Sequence, residues 1–357
     1  MKIIKNVVGF LFFGLILPVS LFFGGWQGWK LMNWFLSAPV ADNQKQDQTI
    51  EFYIPPGTAA VQIGQKLENQ GIIRSATAWK LWTYWLQIKD SEGEYKAGTY
   101  QLSPTASVPE LASTIWQGKV IQVNFTIPEG WNINQMGEYF ESKGFFSRDE
   151  FVSATRVIPQ NKYAWLPNDL PHLEGFLYPD TYKITGDLIT PQRVINAMLD
   201  RFEQLALPVY QQAQNPSSFD LLEWATLASI VEKETVVEKE RSLIAGVFVR
   251  RLKVGMRLQA DPTVEYGLGI KQTADRPLTY KQVETPNPYN TYINTGLPPT
   301  PIASPGIASL KATLYPENTE YVYFVARYDG THVFSKTLAQ HNAATRAIRR
   351  QRQARGR

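Results

Sequence analysis

A chain of 357 residues, 44% of them hydrophobic, can fill the cores of two ordinary domains, which excludes a disordered protein. The absence of cysteine rules out disulfides, thiolate metal sites and a cysteine nucleophile, and His172, His332 and His341 lack ligand spacing, so only an all-carboxylate metal site stays open. The formal charge of +4 is concentrated in RRQRQARGR, residues 349–357; with no nucleic-acid reading module beside it, a solvated basic tail is the simpler reading and no nucleic-acid partner is expected.

After Lys2 and Lys5 comes VVGFLFFGLILPVSLFFGGW, residues 7–26, an uncharged run about as long as a bilayer core is thick. The run lacks a small-residue cleavage site and passes into WQGWKLMNWF, whose tryptophans suit a membrane interface, so a retained single-pass anchor is expected rather than a signal peptide. Lysines on its short N-terminal side put that end in the cytoplasm, with Lys30 a small counterweight, and everything from about residue 36 on the other side of the cytoplasmic membrane. SAPVADNQKQDQ, residues 37–48, is polar and reads as a linker.

An internal repeat follows. FYIPPGTAAVQIGQKLENQGII, residues 52–73, aligns without a gap on FTIPEGWNINQMGEYFESKGFF, residues 125–146, matching Phe52 to Phe125, Ile54 to Ile127, Pro55 to Pro128, Gly57 to Gly130, Gly64 to Gly137, Glu68 to Glu141 and Gly71 to Gly144. Each copy reads as an alternating strand ending at Ile-Pro, a glycine turn, and a short amphipathic helix stopped by glycine. Ser75 can cap the next helix after the first copy, which carries Trp79, Leu81, Trp82 and Trp85, and Ser147 with Glu150 has capping-box spacing after the second. Between the copies GTYQLS reads as a strand and VPELASTIWQG as a helix. This is a small α+β region of paired strand-turn-helix units.

HLEGFLYPDTYKI, residues 172–184, suggests a buried strand entry, and helices dominate from there to Gly255. A stretch rich in proline, asparagine and glycine spans about residues 285–306, and YVYFVARYDGTHVFS is a hairpin turning at Asp329-Gly330. The expected fold class is α+β: anchor in residues 1–35, linker in 36–48, the repeat region in 49–165, a mixed α+β domain in 166–346 and the basic tail in 347–357.

Chemistry points to one helix. It begins at NPSSFD, where Ser217 and Asp220 have capping-box spacing, and its body LLEWATLASIVEKE has no polar stripe wide enough for a surface helix. At 3.6 residues per turn Glu232 falls in line with Leu221, Ala225 and Ala228, while Glu234 falls nearly opposite, with Glu223, Leu227 and Ile230. The two cannot form the facing acid and base of an ordinary glycosidase. A carboxyl beside small side chains leaves room for a ligand and suits a general acid; a frayed helix end, or an ion pair with Arg241 or Arg250, suits Glu232 equally well. Glu234 reads as structural, in an ion pair. Asp261, ahead of Pro262, has an N-cap arrangement, and Ser304 before Pro305 would cap the following helix. The loop TPNPYNTYINTGLPPTPIASPG gathers Tyr289, Asn290, Tyr292 and Asn294, aromatic faces and amides that suit a sugar ring and equally a plain rigid loop.

EGFLYPDTY, ASIVEKET, MRLQADPTVEYG, ETPNPYNTYINTGLPPTPIASPG, and YFV followed by HVFS and LAQHN resemble, in order, the membrane-anchored endolytic peptidoglycan transglycosylases of the YceG-like (MltG) type. The resemblance implies cleavage of β-1,4 links between N-acetylmuramic acid and N-acetylglucosamine inside glycan strands, with the first glutamate of VEKET, Glu232, as catalytic residue. It implies that the acid protonates the departing oxygen and then takes the proton of the muramic acid's own C6 hydroxyl, which closes a 1,6-anhydro ring, so no metal or cofactor is needed. It further implies that Gln259, Asp261, Tyr289, Asn290, Thr291, Tyr292 and Gly296 line the glycan groove, and that the duplicated region is LysM-like. The expected partners are glycan strands and, in the inner membrane, peptidoglycan synthases. The alternative it leaves is an inactive, membrane-anchored glycan-binding scaffold.

Overall fold

The computed structural model describes residues 17–39, 49–120, 122–185, 189–213, 219–273, 276–327 and 329–355. The protein is a mixed α+β chain of many helices and three two-stranded sheets among the described residues. It divides into two compact units, Met1–Val123 with Lys183–Leu188, and Asn124–Tyr182 with Ile189–Arg357. The first copy of the repeat lies in one unit and the second copy, from Asn124 onward, in the other.

In the first unit, helix α1 (Leu17–Leu36) precedes strand β1 (Ile50–Ile54), α2 (Ala60–Asn69), α3 (Ala76–Lys89), β2 (Gly98–Leu102) and α4 (Val108–Trp116). No described helix is long and apolar enough to cross a membrane, and residues 7–16 of the expected span lie outside the described residues. Strands β1 and β2 pair antiparallel with Phe52 opposite Tyr100. Their two-residue alternation sends Phe52, Ile54, Tyr100 and Leu102 to one face, buried with Ile63, Leu67, Trp79, Leu111 and Ile115 of the covering helices. Ser75 caps α3 as its sequence suggests, its Oγ accepting from Ala78 N at 3.2 Å.

The chain passes from the first unit into the second within β3 (Gln122–Thr126); α5 (Ile133–Ser142) and α6 (Arg148–Ala154) follow in the second unit, then β4 (Thr181–Thr185), which pairs with β3 and runs back across the same boundary. Both copies of the repeat therefore have the same element order, and the turn and stop glycines take the left-handed backbone in each: Gly57 and Gly71 at φ 76° and 69°, Gly130 and Gly144 at φ 75° and 72°. Helices α7 (Pro191–Leu205), α8 (Leu207–Gln211), α9 (Leu221–Glu234), α10 (Arg241–Lys253), α11 (Asp261–Leu268), α12 (Tyr280–Val283) and α13 (Ile307–Leu314) follow. The hairpin β5 (Tyr323–Ala326) and β6 (His332–Ser335) and the terminal α14 (Leu338–Arg355) complete it. The hairpin turns where its sequence predicts, Asp329 Oδ1 accepting from Thr331 N at 2.9 Å. Helices α9, α10 and α13 pack on one another around Leu227, Ile230, Val231, Ile244, Phe248, Ile302 and Ala312.

Candidate active site

Helix α9 holds the site because it is the buried axis of the second unit: every residue from Trp224 to Val231 is buried. Its cap is Asp220, whose Oδ1 accepts from Glu223 N at 2.8 Å while Glu223 Oε2 accepts from Asp220 N at 3.0 Å. Ser217, the expected cap, lies outside the described residues. The indole of Trp224 donates to Leu310 O at 3.0 Å and fixes α13 along the helix.

The two glutamates at the end of α9 have different surroundings. Glu232, in line with Ala225 and Ala228, meets α13: its Oε2 accepts from Ser309 Oγ at 2.6 Å, from Gly306 N at 3.2 Å and from Arg241 Nη1 at 3.3 Å, and its side chain is 9% exposed. The face lined by small residues is thus filled by a packed helix, and Glu232 sits at that helix's N-terminus, where the dipole favours a carboxylate. The ion pair with Arg241 is one of the arrangements its sequence position allowed.

A second carboxyl, which sequence spacing did not single out, comes from the turn of the repeat. Glu129 lies so close to Gly306 that a Cβ there would stand 1.9 Å from its Oε1. Burial first, and then the charge of Glu232, pushes Glu129 up from the ordinary carboxylate range, while Arg241 pulls it back. The turn is tied down by Gly130 N donating to Ser304 O and Ser304 N donating to Trp131 O, both at 2.8 Å, and by Lys233 Nζ donating to Gly130 O at 3.2 Å. Ser304 therefore clamps this turn, and the cap of α13 is Gly306, not Ser304.

Glu234, on the other side of α9, has no ion pair among the described residues. Burial pushes its carboxyl up to about 8, with the charges of Asp261 and Glu265 adding to the rise and that of Arg251 opposing it. Arg251 itself is held by Val322 O at 2.6 Å and Leu258 O at 2.5 Å. Asp261 is the first residue of α11, not its cap; its carboxylate accepts from Tyr292 Oη at 2.5 Å and Gln272 Nε2 at 3.2 Å. Asp261, Gln272 and Tyr292 line a cleft of about 1000 Å³ together with Arg276, Tyr280 and, from α14, Arg349. Exposed Gln259 holds φ 47°, a left-handed backbone uncommon for a non-glycine residue and a recurrent mark of functional loops.

The loop residues separate into two roles. Asn290 is buried, its Nδ2 donating to Val283 O and Thr285 O at 3.0 and 2.8 Å and its Oδ1 accepting from Tyr292 N at 2.9 Å. Thr291 is buried too, its Oγ1 bonded to Ala260 N at 3.0 Å and Thr263 Oγ1 at 2.8 Å. Both spend their side-chain polar atoms on bonds within the protein that hold the backbone next to Tyr292 and Gln259; Gln259 N donates to Thr291 O at 3.1 Å. Tyr289 packs edge-on against Tyr266 and bonds Thr300 Oγ1 at 2.8 Å. Gly296 turns the chain at φ 83°, and Asn294 Nδ2 donates to Asn287 O at 2.8 Å. Among the described residues no three His, Asp or Glu side chains are grouped to hold a metal ion.

Comparison with known proteins agrees with this architecture. The YceG-like family pattern matches residues 52–347. An "Endolytic murein transglycosylase" of Bacillus subtilis is 32% identical over 322 residues, covering 87% of both chains. One of Streptococcus pneumoniae serotype 2 is 29% identical over 352 residues, 90% of this chain and 60% of that protein. The crystal structure of a yceG-like protein from Listeria monocytogenes covers 84% of this chain and all of its own, with 31% identity and a TM-score of 0.57. This chain belongs to the YceG-like family.

Proposed function

We propose that the protein is an endolytic murein transglycosylase that cleaves the β-1,4 link between N-acetylmuramic acid and N-acetylglucosamine within glycan strands and leaves 1,6-anhydro ends, terminating strands as they are made. The relatives' shared name supports the reaction. The observation that carries the chemistry is a carboxyl raised to about 8 beside Asp261 and Tyr292, because a group of that kind holds a proton at neutral pH and can give it to a departing glycosidic oxygen. As a carboxylate it then takes the proton of the muramic acid C6 hydroxyl while that oxygen bonds to C1. The proton count closes and the acid is restored.

Two glutamates compete for this role. Glu232 is the residue the family resemblance brought forward, but its Oε2 is already taken by Ser309, Gly306 and Arg241. Glu234 is the better placed, since its charge neighbours Asp261 and Tyr292 border the large cleft. We assign the acid to Glu234 and give Glu232 the task of joining α9 to α13. Gln259, Asp261 and Tyr292 would meet sugar, and Tyr289, Asn290, Thr291 and Gly296 would shape the loop.

The apolar run of residues 7–26 would anchor the chain in the cytoplasmic membrane, N-terminus inside, with both units outside it and near the synthases. The repeat region would act as a LysM-like grip on the strand. The test is mass spectrometry of murein digested by the full chain, wild type beside Glu234→Gln and Glu232→Gln. Anhydro-ended products are expected, with turnover lost by roughly 10²–10⁴-fold in Glu234→Gln and better retained in Glu232→Gln. The opposite ranking returns the acid to Glu232. Products one water heavier would mean hydrolysis, and no products from wild type would leave a glycan-binding scaffold.

A further inference from the structure

Helix α3 is apolar on two faces. One carries Trp79 and Thr83 into the core of the first unit. The other carries Leu81, Tyr84, Trp85 and Ile88, spaced as one stripe of a helix and all exposed, Ile88 by 85%. Folding of the unit does not account for these side chains, because a helix needs only one apolar face to join a core. Lys80 and Lys89 flank the stripe, their Nζ atoms 6.0 Å from the Tyr84 ring and 5.3 Å from the Trp85 ring.

The stripe is joined to helix α1. Trp29, Met32 and Leu36 of α1 and Ala78, Leu81, Trp82 and Trp85 of α3 line one apolar groove of about 620 Å³. Arg74 fixes the junction: its guanidinium donates to Ala38 O at 2.9 and 2.7 Å and to Pro39 O at 3.3 Å, and lies 4.8 Å from the Trp34 ring. The start of the polar segment after α1 is thus bound to the unit, and the unit cannot swing away from α1 at that point. Met32 follows the last residue of the apolar run, Trp26, by roughly 9 Å of helix rise, which is headgroup depth if that run spans the bilayer core.

We propose that the outer face of α3 is a membrane-docking surface, with Leu81, Tyr84, Trp85 and Ile88 seated among the lipid headgroups of the outer leaflet and Lys80 and Lys89 against their phosphates. This rests on the anchoring of residues 7–26. Tryptophan and tyrosine with flanking lysine match the layer where one end of a side chain is apolar and the other wet. The consequence is that the first unit lies on the membrane.

The chain has no cysteine, so one label site can be placed at will. The full chain carrying Ile88→Cys with a nitroxide, reconstituted in vesicles of phosphatidylethanolamine and phosphatidylglycerol, is compared with Val61→Cys, an exposed position on α2 of the same unit. Power saturation should show the Ile88 label more accessible to oxygen and less to a water-soluble nickel chelate than the Val61 label. Equal nickel access at the two sites overturns the proposal, and so does spin–spin broadening at Ile88 that disappears on dilution with unlabelled chain, since a second copy then covers the face. Alkaline carbonate extraction of the same vesicles separates the causes: retained chain with a water-exposed label refutes docking alone, whereas extracted chain refutes the anchor as well.

Discussion

Glu174 makes the molecule sensitive to pH from a place no substrate reaches. It is 1% exposed, accepts from Ile133 N at 3.1 Å and Tyr266 Oη at 3.1 Å, and burial pushes it up to about 8. A carboxyl raised from 4.5 to about 8 binds its proton more tightly in the native state, so its contribution to stability is full below about 4.5 and is lost as pH rises to about 8. Glu234 acts in the same direction. The melting temperature of the wild type should therefore fall between pH 5 and 8, and Glu174→Gln, which keeps an acceptor for both donors, should flatten that slope; an unchanged slope in the variant would remove Glu174 from the account. The catalytic profile has its own sign: if Glu234 is the acid, kcat/KM declines as pH rises through about 8, because the deprotonated form cannot donate. Glu174 and Glu234 both sit in stretches that the sequence singled out, EGFLYPDTY and VEKET, yet neither was assigned chemistry. Their surroundings come from Ile133, Tyr266, Asp261 and Arg251, which no local pattern connects to them.

At the scale of elements, local signals were the legible ones. The repeat, its glycine turns, the caps at Ser75 and Ser147 and the hairpin at Asp329-Gly330 all depend on backbone chemistry within a few residues, and the structure has each of them. The phase of α9 was legible too, with Glu232 and Glu234 on different sides; what packs on each side was not, because Ala225 and Ala228 serve a ligand or a neighbouring helix equally well in sequence. The repeat also predicts where its helices meet. A Cβ on Gly64 would stand 2.6 Å from Trp79 Cδ1, and one on the matching Gly137 would stand 3.2 Å from Arg148 O, so in each copy this glycine lets the next helix approach. Gly64→Ala should therefore cost about 1–3 kcal/mol in chemical denaturation, the overpacking strain exceeding the gain in helix propensity. A stability equal to wild type would mean that Trp79 can give way without loss, which its indole bond to Ala60 O at 3.0 Å argues against.

For the molecule as a whole, the strongest signal in the sequence is the apolar run of residues 7–26. Glycan strands are an extracytoplasmic substrate, and the proposed topology puts the second unit on their side of the membrane and the N-terminus on the other. That topology rests on the lysines at positions 2 and 5 on the short side of the apolar run, since positive charge there favours retention in the cytoplasm, with Lys30 on the far side a small counterweight. The arginines of the last helix do not enter this balance directly, because charge distant from the membrane end of a large folded domain translocates with it. Single cysteines make the orientation measurable. In intact cells a membrane-impermeant maleimide should modify Val157→Cys, an exposed position of the second unit, and should leave Lys5→Cys unmodified until the membrane is permeabilised. Protection of both sites would put the second unit on the cytoplasmic side, where it has no glycan strand to cut, and the proposed reaction would fall with the topology.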